Sequence, residues 1–421
     1  MDYVPRLVDE ALDFWLPELP AVSIEGAKGV GKTVTSSRRA NETFSLDQKN
    51  TQLNLAQNPD IVLVSEGTTF IDEWPLVPEV WDVVRRAIDY GALPGRFLLA
   101  GSADLPIDTQ VHSGASRIVK LMMRPMALPE RNIEMPTVSL AALLSGQRPE
   151  VNGTTNLATP EYVDEILQSG FPAIRQASPS IRDELLNGYI DRVIYHDAVE
   201  SGAKIRRPEI LRKWLATYGA VTATTASYAS ILQAASPAED VKPAKLTAMG
   251  YRDLLQRIFV LDPLPAWTPT FAHLDRLGQS PKHHLVDPAL AARLVGATKA
   301  SLVRGEGPSL NDSTFLGALF ESLAVQTVRV LAQANQARTF HMRQQGGDHE
   351  VDIVVERADL KVLAIQAKVS PTVRPADVAH LNWLDEQLPG RVVDKVVLNT
   401  GDRAFRRPDG VAVIPLALLG R

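Results

Sequence analysis

Apolar positions in the first hundred residues change period several times, and each change predicts an element. Residues 7–16 carry them at helical spacing, before a turn bounded by Pro17 and Pro20. Ala21-Val22-Ser23-Ile24-Glu25 is a short apolar run that leads into glycines, which predicts a buried strand, and a helix is expected to start near Lys32. Further strands are predicted at residues 44–47, 69–73 and 97–102, with helical spacing over residues 80–88 between the last two. Strands alternating with helices predict a parallel sheet with helices on its faces. The pattern weakens over residues 140–160, where Ser, Gly, Asn, Thr and Pro accumulate, and a boundary is expected there. Residues 161–199 predict helix throughout. Residues 208–267 predict several short helices ending at Arg257-Ile258-Phe259-Val260-Leu261-Asp262, a layout that suits a helix-turn-helix or winged-helix module. A long apolar helix over residues 315–332 then precedes strands at 339–341, 351–355, 362–367 and 395–398.

A chain of 421 residues exceeds one ordinary core, so two or three domains of about 100–200 residues are expected. With 45% hydrophobic and 22% charged residues the composition is globular. The net charge of −5 and pI near 6.0 exclude a strongly basic nucleic-acid coat, though a local basic groove stays open. The absence of cysteine excludes disulfides, thiolate zinc sites and a cysteine nucleophile. No apolar run approaches the roughly 18 residues of a membrane span. The N-terminus lacks a basic stretch followed by an apolar one, so the cytoplasm is expected and no membrane partner.

The first predicted strand runs into Gly26-Ala27-Lys28-Gly29-Val30-Gly31-Lys32-Thr33, which matches G-x-x-x-x-G-K-[ST] at every fixed position. Glycines let backbone amides wrap phosphates, and Lys32 would reach the β and γ phosphates of ATP. The Thr33 hydroxyl would bind Mg²⁺, and Val34 lies in the helix whose N-terminal end points at the same anion. Phe70-Ile71-Asp72-Glu73 is an apolar strand ending in two carboxylates. Asp72 is placed to hold Mg²⁺ through water and Glu73 to polarise the attacking water, unless the pair only caps the next helix. Ser102 could sense the γ phosphate or serve as a turn serine after Gly101. Arg117 is a candidate arginine finger, against the commoner reading of a solvated surface arginine.

The order of these and later pieces resembles the bacterial and archaeal AAA-type ATPases whose C-terminal domain of unknown function is related to PD-(D/E)XK nucleases. The pieces are the phosphate loop, Phe70 to Trp74 with Pro78-Glu79, and Arg96-Phe97-Leu98-Leu99-Ala100-Gly101-Ser102. Ser113-Gly114-Ala115-Ser116-Arg117, Gly170-Phe171-Pro172 and Tyr189-Ile190-Asp191-Arg192-Val193 follow. Gly317-Ala318-Leu319-Phe320-Glu321, Glu350-Val351-Asp352-Ile353-Val354 and Val397-Leu398-Asn399-Thr400-Gly401-Asp402 complete the set, so the resemblance spans nearly the whole chain. It implies an α/β chain: an AAA-type ATPase core over residues 1–150, a helical lid or connector over 151–205, a winged-helix module over 206–270 and a restriction-endonuclease-like domain over 271–421.

A PD-(D/E)XK site needs acidic groups for one or two Mg²⁺ and a lysine to orient water against a phosphodiester. Asp352 lies in one predicted strand, and Gln366-Ala367-Lys368 ends the next. Strand positions two apart share a face, so Gln366 and Lys368 are expected to point toward Asp352. Glu321, on the preceding helix, is a further candidate ligand, and Glu350 a lesser one. Gln366 stands where the family pattern has Asp or Glu. The loss of charge should weaken Mg²⁺ binding, although some nuclease branches resemble this Gln-x-Lys arrangement and stay active. The fold could equally persist as a docking domain with a relic site.

Basic residues at 204, 206, 207, 212, 213, 242, 245, 252 and 257 could contact phosphates if some share a face, or form an ordinary solvated surface. His283, His284, His341 and His349 show no zinc spacing. Trp74, Trp81, Trp214, Trp267 and Trp383 are expected in cores or interfaces. Two function classes follow: an ATP-driven enzyme whose cycle regulates a nuclease-like domain on DNA or RNA, or an ATP-dependent scaffold whose C-terminal domain binds a protein partner. ATP and ADP are the expected ligands in both, and a homo-oligomer would need an arginine from a neighbouring copy.

Overall fold

Strand β1 (Ala21–Glu25) is buried at every position, as a strand covered on both faces must be. In the computed structural model it is the fourth of five strands, in the order β2-β3-β4-β1-β5. The others are β2 (Glu42–Ser45), β3 (Thr69–Asp72), β4 (Phe97–Gly101) and β5 (Val119–Met122), and every pairing is parallel. The structure describes residues 3–103, 117–198, 207–235, 245–269, 277–304, 312–344 and 346–421. Ser113 to Ser116, Lys204, Arg206 and Lys242, named in the sequence, lie outside them. Helices Leu7–Trp15 and Glu79–Asp89 stand where apolar spacing predicts them, and Lys32–Ser37 follows the glycine loop as expected. Trp74 and Trp81 stack at 4.5 Å in the core under β3, a contact worth about 0.5–1.5 kcal/mol beyond its buried area. The sequence pattern missed β5, whose four residues, Val-Lys-Leu-Met, are too few to show a period.

The chain divides into two compact units. The first is Met1–Pro125 with Tyr195–Ile205 and Asp253–Val260, and the second is Met126–Ile194, Arg206–Arg252 and Leu261–Arg421. The predicted continuous helix over 161–199 is broken into Thr159–Leu167, Pro172–Arg175 and Pro179–Arg192, because each proline starts a new first turn. The winged-helix expectation meets helices Pro208–Ala220, Tyr228–Ala235 and Lys245–Arg257, followed by single β-bridges; the described residues hold no strand ladder there. The positive φ of Phe259, 58°, turns the chain just where a strand would have to begin.

The second unit holds a mixed six-stranded sheet. After the short β6 (Val138–Ser139) come β7 (Arg338–Arg343), β8 (Glu350–Glu356), β9 (Val362–Lys368), β10 (Val392–Asn399), β11 (Phe405–Arg406) and β12 (Ala412–Pro415), ordered β11-β12-β10-β9-β8-β7. Strands β9, β10 and β12 are parallel to one another, and β7, β8 and β11 pair antiparallel. Helix Pro375–Gln387 covers one face through Val378, Leu381 and Leu384. Helix Asp312–Ala334 also packs on the sheet. Contrary to the sequence reading, its stretch Thr314–Ala334 is long and apolar enough to cross a membrane; 78% of its most apolar window is buried within the protein.

Candidate functional site

The loop after β1 owes its shape to glycines. Gly29 and Gly31 have φ of 82° and 109°, in the left-handed region that side chains avoid. A Cβ on Gly26 would meet the Met123 carbonyl oxygen at 2.1 Å. Lys32 opens the following helix with its side chain buried, and its ammonium donates to the carbonyls of Gly26 and Ala27 at 2.7 and 3.0 Å. Lys28 pairs with Asp197 at 2.6 Å, and Val34 is exposed on the helix. Buried Arg6, which no motif signalled, braces the loop by donating to the carbonyls of Val30 and Arg124 at 2.9 and 2.8 Å.

Burial pushes the Lys32 ammonium down to about 8, against the pull of Glu73 and Asp72. A phosphate bound there takes the protonated form and raises that value again. Nucleotide affinity is therefore expected to fall as pH rises past about 8, by up to roughly tenfold per unit. Calorimetric titration on both sides of that pH checks this, and a flat profile would show that Lys32 stays protonated with or without nucleotide over that range.

The sheet order puts β3 two places from β1, with β4 between. Asp72, at the end of β3, accepts a hydrogen bond from the Thr33 hydroxyl at 2.7 Å through Oδ2. Its Oδ1 is buried and has no hydrogen-bond partner. Burial raises the Asp72 carboxyl, with Glu73 adding to the effect. A hydroxyl and a carboxylate with one buried oxygen left unpaired fit a hydrated divalent cation beside a phosphate. Glu73 sits at φ 53°, an uncommon conformation for a side-chain-bearing residue, as the chain turns out of the sheet. Ser102, at the end of β4, donates to Glu73 Oε2 from its amide at 3.1 Å and its hydroxyl at 2.7 Å, and so orients that carboxylate. Arg117 is partly exposed and pairs with Asp89 on helix Glu79–Asp89 at 2.5 Å.

In the second unit the candidate residues meet differently from the expected pattern. Phe340 pairs with Val354 and Met342 with Val351, so β8 carries one extra residue between these pairs. The bulge puts Val351 and Val354 on one face, in the cluster with Ala364 and helix Pro375–Gln387. It leaves Glu350 and Asp352 on the other, facing Glu321 of helix Asp312–Ala334. By alternation Gln366 and Lys368 share the face of Ala364, and Asp352 lies one residue beyond the Ile353–Ile365 pair. Gln366 Oε1 is buried without a hydrogen-bond partner, while the charge of Lys368 still reaches Asp352.

The centre of the acidic group is a lysine that sequence spacing did not single out. Lys282 Nζ lies 2.7 Å from Glu321, 2.6 Å from Glu350 and 2.9 Å from Asp352. Burial alone would lower the Lys282 ammonium, but Asp352, Glu321 and Glu350 outweigh it and raise it. Burial raises Glu321, with Asp352 adding to the effect and Lys282 opposing it. Burial would lift Asp352 too, but Lys282 overrides it and holds that carboxyl below its usual range. Asp352 Oδ2 also accepts the Ala367 amide at 3.0 Å. The Mg²⁺ implied by the nuclease resemblance does not fit, since an ammonium already holds the point where the carboxylates converge. Among the described residues no group of His, Asp and Glu is arranged to hold a metal ion.

Three family models match the chain in succession. Residues 18–132 match an AAA domain, residues 159–301 a domain of unknown function (DUF8612) and residues 316–419 another (DUF4143). Uncharacterized proteins of Mycobacterium tuberculosis and Mycobacterium bovis are each 25% identical over 411 residues, 95% of this chain and 81% of theirs. A Walker-type ATPase of Pyrococcus abyssi is 14% identical, covering 70% of this chain and 96% of that one, with a TM-score of 0.41.

Proposed function

We propose, on the premise that the chain carries an AAA-type P-loop ATPase domain at residues 18–132, that it hydrolyses ATP with Mg²⁺. Its nucleotide cycle would switch the C-terminal domain between states that bind or release a macromolecular partner. One observation carries the reading: the Thr33–Asp72 hydrogen bond, with Asp72 Oδ1 buried and unpaired next to it. The backbone amides of the loop would hold the phosphates and Lys32 would neutralise their charge. A bound cation would supply positive charge that balances the phosphates. Thr33 and Asp72 are the residues that would hold it. Glu73, steadied by Ser102, would take the proton of the attacking water.

Lys32→Ala is expected to remove nucleotide binding, read by calorimetry, and with it all ATP turnover. Unchanged affinity would sink the assignment of the site. The same turnover assay, run with DNA, RNA or candidate proteins added, separates two partner classes. Stimulation by nucleic acid supports the nuclease-like reading. Stimulation by protein alone supports a scaffold whose C-terminal domain docks a partner, the reading that Lys282 at the heart of the carboxylates favours.

A further inference from the structure

We infer that the ammonium of Lys282 is a built-in replacement for a divalent cation, and that it closes the Glu321, Glu350 and Asp352 cluster to metal. An ammonium carries three N–H donors; here two bond Glu321 and Asp352 at 2.7 and 2.9 Å, and Glu350 Oε1 lies 2.6 Å from Nζ as an ion pair. These are hydrogen-bond lengths, not the roughly 2.0–2.1 Å of Mg²⁺ to oxygen. A divalent ion placed at the same point would overlap Nζ.

The lysine is also fixed in place. Its amide donates to the Leu264 carbonyl and its carbonyl accepts from the Leu264 amide, both at 2.9 Å. The next residue, His283, pairs by amide and carbonyl with Thr224 and Ala223 at 2.8 Å. The Lys282 side chain is 1% exposed. Moving it out would strand a charge in the interior and unpair three carboxylates at once. The carboxylates retained around it therefore form a structural ion cluster, joining the segment before helix Pro288–Leu294 to β8 and helix Asp312–Ala334. This inference underlies the docking reading of the C-terminal domain and is independent of the nucleotide site.

The test measures Mn²⁺ binding by the electron paramagnetic resonance of free Mn²⁺, on the full chain in an Asp72→Asn background without nucleotide. The protein with Lys282 intact is expected to bind no Mn²⁺ at this cluster. Lys282→Met, which keeps the length but removes the charge, is expected to bind one Mn²⁺ and to lose it again in Lys282→Met with Asp352→Asn. Its thermal midpoint should rise on adding Mn²⁺, whereas that of the Lys282 protein stays put. Mn²⁺ binding by the Lys282 protein that Asp352→Asn abolishes overturns the inference, whether or not the methionine variant folds. A folded Lys282→Met that binds no Mn²⁺ overturns it as well. A methionine variant that folds only when Mn²⁺ is present supports it. Cleavage of nucleic acid is not the readout, so failure here leaves the ATPase reading untouched.

Discussion

Glu73→Gln is expected to lower ATP turnover by about 10²–10⁴-fold while nucleotide binding persists. The substitution preserves shape and keeps a carbonyl oxygen that can still accept from the amide and hydroxyl of Ser102. What it removes is the basic oxygen that could accept a proton from water. The left-handed turn at Glu73 should survive, since Gln and Glu differ little in backbone preference. Equilibrium binding of a labelled nucleotide, set beside steady-state phosphate release, separates the two quantities. Normal turnover would move the role of general base to another residue. Loss of binding together with turnover would instead make Glu73 a structural support of the loop.

Glu165→Ala is expected to destabilise the second unit by about 3–5 kcal/mol. The Arg131 side chain is fully buried, and its guanidinium donates to the Glu165 carbonyl at 2.8 Å and carboxylate at 3.2 Å. Arg175 donates to Glu165 Oε1 at 2.9 Å and forms an ion pair with Oε2 at 2.8 Å. Removing Glu165 leaves the buried Arg131 charge without the carboxylate it pairs with, in a place water cannot reach. Burial already pulls the Arg131 guanidinium below its ordinary value, and Glu165 is the first group opposing that. Glu165→Gln keeps an oxygen for both arginines and should cost less. Urea unfolding of the two variants, followed by a probe in the second unit, gives the comparison. Equal midpoints for Glu165→Ala and the parent would show that the cluster contributes nothing net.

Most of the first sheet, the phosphate loop and the acidic pair at the end of β3 were determined by the sequence alone. Each depends on local spacing: an apolar run fixes a buried strand, glycines at 26, 29 and 31 fix the loop, and Asp72-Glu73 closes an apolar strand. Which elements meet was decided only by the tertiary structure. Ser102 reaches Glu73 because β4 lies between β1 and β3, an order that no local pattern encodes. Arg6 braces the loop from 24 residues away. One extra residue in β8 breaks the alternation on which a face assignment from sequence relies. Lys282 joins Glu321 and Asp352 across separations of 39 and 70 residues. Apolar periodicity tells which face an element buries; it carries no information about which charge a distant segment brings to that face.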